Sequence, residues 1–93
     1  MMTKQALDLQ ASVDNRTGQI AAVYLRVREG SVAQTKEVKE GVAFADYDAD
    51  GLLLGIELLG PCEVHVLHDL AEREPEPIKR FLKGAAPRAL VVA

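Results

Sequence analysis

Apolar and polar positions alternate from the start of the chain. Leu7, Leu9, Ala11 and Val13 are separated by Asp8, Gln10 and Ser12, the period of two of a half-buried strand. Asp14-Asn15-Arg16-Thr17-Gly18 is a turn cluster, because Asp and Asn bond to nearby backbone and Gly tolerates positive φ. Ile20 to Arg28 predicts a second strand, with Val23, Leu25 and Val27 inward and Tyr24, Arg26 and Arg28 outward. Gln34 to Glu40 is polar and weakly alternating, and its charges mark an edge strand. Val42 to Tyr47 and Leu52 to Leu59 form a hairpin around Asp48-Ala49-Asp50-Gly51, a type I turn with Gly51 left-handed. Gly60-Pro61 ends the sheet, since Pro cannot extend a ladder.

The spacing then lengthens. Val64, Leu67, His68 and Ala71 share one helical face bordered by Leu70, with Pro61 placed in the first turn. Val64 and Val66 also alternate, so the start at Cys62–Leu67 reads either way, with the helix preferred. After Glu74-Pro75-Glu76-Pro77, a second stripe runs through Ile78, Phe81, Leu82 and Ala85, and Gly84 is a plausible stop. Ala86 to Leu90 could add one more turn. Strands followed by helices define an α+β class. We expect one domain over 1–93: an antiparallel β-meander of four to five strands, about 7–59, then two short helices, about 62–91, on one sheet face.

Composition narrows the class. With 93 residues, 48% of them hydrophobic and 27% charged, the chain is globular in type, and such a length buries roughly 60–65% of its unfolded surface. The core must be aliphatic, because Tyr24, Tyr47, Phe44 and Phe81 are the only aromatics. Cys62 is the sole cysteine, so no intrachain disulfide forms. A net charge of −3 gives no electrostatic reason to bind nucleic acid. No apolar run approaches a membrane span and Met1–Gln10 lacks the pattern of an export signal, so the expected setting is cytoplasmic.

The chemistry-bearing residues are few. Asp46, Asp48, Asp50-Gly51 and Glu57 satisfy the spacing of a calcium loop. The flanks read as strands, however. A hairpin turning at Ala49-Asp50 puts Asp46 across from about Leu53, which leaves Glu57 about 13 Å away. Asp46, Asp48 and Asp50 therefore remain weak metal candidates, and a solvated turn is preferred. Cys62, His65 and His68 are three residues apart without a fourth ligand. Cys62 and His65 lack the third group of a nucleophilic site. Lys79, Arg80, Lys83 and Arg88 read as a solvated basic face.

Val23-Tyr24-Leu25-Arg26-Val27, Gly41-Val42, Asp46-Tyr47-Asp48-Ala49-Asp50-Gly51 and Gly55-Ile56-Glu57-Leu58-Leu59 together resemble the bacterial family "domain of unknown function 2283" over about Leu9 to Gly60. Ile20-Ala21-Ala22 departs from it, where members usually carry an acid. The resemblance implies the sheet and marks Tyr24, Asp46, Asp48, Gly51, Gly55 and Glu57 as candidate site residues. It implies no catalytic residue, cofactor or resident metal. The expectation is a non-enzymatic protein-interaction module with an unidentified protein partner, without nucleic-acid or membrane binding. The alternatives are a divalent-metal or small-ligand binder using the Asp46–Asp50 turn, and an antitoxin-like partner of a small toxin. Apolar residues on both faces of Leu52-Leu53-Leu54 and Leu58-Leu59 further predict a homodimer that uses the sheet and the helical tail.

Overall fold

The computed structural model describes residues 5–60, 62–84, 91 and 92. The strands are β1 (Gln5–Val13), β2 (Ile20–Arg28), β3 (Gln34–Lys39), β4 (Ala43–Tyr47) and β5 (Leu53–Leu58). A short β6 (Cys62–Glu63) leads into α1 (Val64–Ala71), α2 (Glu76–Gly84) follows, and β7 (Val91–Val92) pairs in parallel with β6. The expected α+β architecture is present: five antiparallel strands, then two helices. The order across the sheet is β1-β2-β5-β4-β3. Strands β3, β4 and β5 form the meander, β1–β2 is a separate hairpin, and β5 joins the two at the centre. The connection Glu29–Ala33 therefore crosses from β2 to the far edge, passing the start of β5, where Gly30 packs against Leu54.

The core lies between the sheet and the helices. Val23, Leu25 and Val27 of β2, Ala43 and Ala45 of β4, and Leu53, Ile56 and Leu58 of β5 pack with Leu67, Ala71, Ile78 and Leu82. Small residues on β4 leave room for the larger aliphatics of β5 and the helices. The buried stripe of α1 is Val66, Leu67 and Ala71, with Val64 and His68 only half-buried. The stripe is rotated from the expected one, towards Val66. Pro61 and the extra turn over Ala86–Leu90 lie outside the described residues.

One irregularity sets the side-chain directions on β5, and one expectation, a half-buried β1, is corrected. Strand β5 carries one extra residue opposite β4: Asp46 pairs with Gly55, yet Tyr47 pairs with Leu53. This bulge sends Leu53 to the helix side and Leu54 to the other face. Leu54 is nevertheless only 3% exposed, because the crossover at Gly30 covers it within the same chain. Phe44 shares the face of Leu54, while its neighbours Ala43 and Ala45 enter the core. Finally, β1 is not half-buried. Leu7, Leu9 and Val13 are 43%, 37% and 53% exposed, because the core helices pack over β2, β5 and β4, leaving the edge strand β1 outside the core cluster.

One buried charge fastens the two layers. Arg28 was expected to face outward but closes β2 at 8% exposed, because its guanidinium is bonded within the protein rather than to water. Its Nη1 donates to the carbonyl oxygen of Leu53, at the bulge, at 2.8 Å, and its Nη2 to Glu74 Oε1 at 2.7 Å. The guanidinium thus ties the irregular end of β5 to the link between the helices. Removing one partner of a buried ion pair leaves the other charge uncompensated. Glu74→Ala is expected to cost about 2–3 kcal/mol, read in urea as a lower midpoint at unchanged slope. An unchanged midpoint would show that the pair does not hold the layers together.

Candidate functional site on the open face of the sheet

Residues directly opposite in an antiparallel sheet share a face, so the register sets out the surface turned away from the helices. One row runs Gln10, Tyr24, Glu57, Phe44, Glu37 across β1, β2, β5, β4 and β3. The next runs Asp8, Arg26, Gly55, Asp46, Thr35. Gly55 leaves a gap in the middle of the second row. Tyr24 leans from the first row into that gap, and a Cβ at position 55 would collide with its ring and hydroxyl. A side chain here is excluded by close approach, and the ring restores the cover that glycine lacks.

The leaning ring brings its hydroxyl to Asp46. Tyr24 donates to Asp46 Oδ2 at 3.0 Å, and Thr35 donates from β3 to Asp46 Oδ1 at 2.6 Å. Both carboxylate oxygens of Asp46 therefore accept protein hydrogen bonds. The Arg26 guanidinium carbon stands 5.7 Å from the centre of the Tyr24 ring, within cation–π range. Glu57 is exposed between Tyr24 and Phe44. A depression of about 270 Å3 is bounded by Tyr24, Thr35, Phe44, Asp46, Glu57 and Leu59. A wider cleft of about 570 Å3 lies towards the crossover and is lined in part by Gln10, Ser12, Tyr24, Arg26, Gly30 and Leu54.

The electrostatics of this patch favour neutral tyrosine. The Tyr24 phenol is pushed up to about 12, first by burial, then by its hydrogen bond to Asp46 and the charge of that carboxylate. Glu57 adds to the rise and Arg26 opposes it. At neutral pH Tyr24 is thus a hydrogen-bond donor and an aromatic surface, not a base.

Of the six residues marked by the sequence, four meet on this face: Tyr24, Asp46, Gly55 and Glu57. The other two build the hairpin end. Asp48 Oδ1 accepts from the backbone N–H groups of Asp50 and Leu52, each at 2.9 Å, and Gly51 takes φ 84°, the left-handed turn conformation expected of it. Asp50 is exposed beyond the turn. Asp46 stands opposite Gly55 rather than Leu53, because the turn already places Tyr47 across from Leu53 and the bulge adds one residue more, so Glu57 is two residues from its partner instead of four. Among the described residues, no three His, Cys, Asp or Glu side chains converge on a point that could hold a metal ion.

Elsewhere, the Cys62 thiol is buried on β6, and its pKa is raised by burial and then by Glu63, with Lys39 opposing. His65 is exposed, 3.6 Å from Glu63. On α2, Arg80 pairs with Glu76 at 3.6 Å and Lys83 is exposed, while Arg88 lies outside the described residues. Two contributors were not picked out from the sequence: Thr35, which grips Asp46, and Phe44, which walls the depression. Their positions follow only from the strand register. No helix among the described residues is long and apolar enough to cross a membrane.

The class defined so far is a small α+β protein whose five-stranded sheet keeps an ordered polar and aromatic patch on its open face. Residues 20–60, from the start of β2 past the end of β5, match the family model described as protein of unknown function (DUF2283). The resemblance seen in the motifs is thereby borne out, and the match contains Tyr24, Asp46, Gly55 and Glu57. No curated protein and no solved structure matches the chain.

Two measurements check the patch. Gly55→Ala displaces the Tyr24 ring and is expected to cost about 1–3 kcal/mol, as overpacking does. In a Tyr24→Ala background the same change has nothing to displace, so its cost should vanish, giving a coupling detectable by a double-mutant cycle. Equal costs in both backgrounds would refute the close approach. Second, the phenol titrates higher in the folded state than in the unfolded one. Its contribution to stability is therefore fully present below about pH 10, the unfolded value, and is lost as pH rises through the folded value of about 12. In a Tyr47→Phe variant, Asp46→Asn should move the tyrosinate absorbance transition to lower pH. A transition that stays in place would remove Asp46 as a cause.

Proposed function

We propose that the chain is a non-enzymatic protein-interaction module that binds a protein partner with the open face of its sheet and associates with itself as a homodimer. The observation that carries this reading is the internal locking of the Tyr24 ring. Tyr24 lies over Gly55 and its hydroxyl is tied to Asp46, so an aromatic surface is presented with little freedom left to lose. Rigid aromatics with a neighbouring Arg are the side chains that dominate protein interfaces. Phe44 and Glu57 extend the surface on one side and Arg26 on the other. The same hydrogen bonds occupy Asp46, and the high Tyr24 value takes away a base. The polar chemistry of the patch thus acts in shaping a surface.

Photocrosslinking from position 44 in the protein's own cells tests the open face. Discrete adducts that disappear with Glu57→Lys are expected, while the purified Glu57→Lys variant keeps its melting temperature, because Glu57 is exposed. Adducts indifferent to Glu57, or none, would defeat the reading. Light scattering over a concentration series tests self-association: the mass should rise from that of one chain to that of two.

A further inference from the structure

The two edges of the sheet are unlike. β3 presents Lys36, Glu37 and Lys39, exposed charges of both signs that discourage an added strand. β1 has nine residues, all but Ala6 exposed, with Asp8 as its only charge and neither Lys nor Pro. Its regular pairing with β2 runs from Asp8 to Ser12 and is bounded by irregularities at either end. Leu9 and Ala11 lie opposite Leu25 and Val23 and so face the helix side, beyond the reach of the core cluster. Leu7 and Val13, just beyond the regular run, are also exposed, at 43% and 53%, and by alternation along β1 they extend the strip.

We propose that β1 pairs antiparallel with β1 of a second copy, about a two-fold axis perpendicular to the sheet and passing beside Gln10. The inference rests on the homodimer reading and says where that dimer forms. Such an axis keeps each copy's helix side on the same face, so a residue must meet a partner of the same alternation. Centring on Asp8 would set two carboxylates opposite each other, which is unfavourable. Centring on Gln10 overlaps the regular Asp8–Ser12 runs completely. Leu9 then meets the partner's Ala11 and Leu7 meets the partner's Val13, matching every exposed apolar residue of the strip with another. On the open face Asp8 meets a serine hydroxyl, and Gln10 meets its own copy, an amide able to donate and accept at once. The two five-stranded sheets become one continuous sheet, and the outer ladder groups of β1, which no strand among the described residues pairs, are satisfied. One strand per copy is a narrow contact against the roughly 800 Å2 per partner of a standard interface, so the dimer should dissociate on dilution.

Cysteine substitution reads the register directly. With Gln10→Cys the two thiols lie directly across the axis, within disulfide reach. With Leu9→Cys they are diagonal, about 7–8 Å apart, beyond it. Under mild oxidation Gln10→Cys should form a covalent dimer, while Leu9→Cys and the parent chain, whose Cys62 is buried, should not. Leu9→Glu should weaken association about tenfold or more, because it sets a carboxylate into the apolar strip, and Glu57→Lys should leave association unchanged. A covalent dimer through Leu9→Cys instead of Gln10→Cys would overturn the register. A dimer that persists with Leu9→Glu and crosslinks through neither position would overturn edge pairing and leave the homodimer reading intact. A chain that stays monomeric at every concentration would end both.

Discussion

A single added residue in β5 decides what each side of the sheet contains. Side chains alternate strictly along a strand, so without the bulge at Leu53–Leu54, Leu53 would point away from the helices and Leu54 into them. With it, Leu53 joins Ile56 and Leu58 in the core, and Leu54 goes under the crossover at Gly30. The bulge also presents the Leu53 carbonyl to Arg28, so the guanidinium that fixes the helical link depends on the same irregularity. Packing, layer attachment and the shape of the cleft beside Leu54 share one cause.

The open face follows a second local rule, the absence of a side chain at Gly55. A glycine inside a central strand costs stability on its own, because it leaves backbone uncovered. Here the gap is filled from the neighbouring row by Tyr24, and that tilt is what delivers the phenol to Asp46. Thr35 then takes the second oxygen of the carboxylate. The acid is held by two strands, and the aromatic surface is as rigid as the sheet that carries it.

Period-two alternation was enough to place β1 to β5, and the turn at Asp48–Gly51 was legible from its chemistry alone, because Asx bonding and a left-handed glycine have few other uses in that order. The rows of the candidate site were less legible. Asp46 was expected opposite Leu53, and the turn register and the bulge each move it by one residue, to Gly55. Thr35 and Phe44 have no distinctive pattern of their own, and their membership depends on non-local register. The exposure of Leu7 and Leu9 was also hidden, since alternation tells which way a residue points and not whether anything packs there. The α1 stripe takes in Val66 rather than Val64, because the buried face is chosen by what the helix docks on and not by spacing alone.

The order β1-β2-β5-β4-β3 has a consequence for how the chain is made. The central strand is the last of the five to leave the ribosome. Until Leu58 is synthesised, β2 has one free side and the β3–β4 hairpin has nothing to dock on. Val23, Leu25 and Val27 must wait in solvent through the synthesis of two intervening strands, with the apolar edge of β1 beside them. Closure is a non-local step of the kind that slows folding and leaves nascent chains open to mispairing. The charges of β3 are thus most useful early, when they guard a hairpin that has not yet found its sheet.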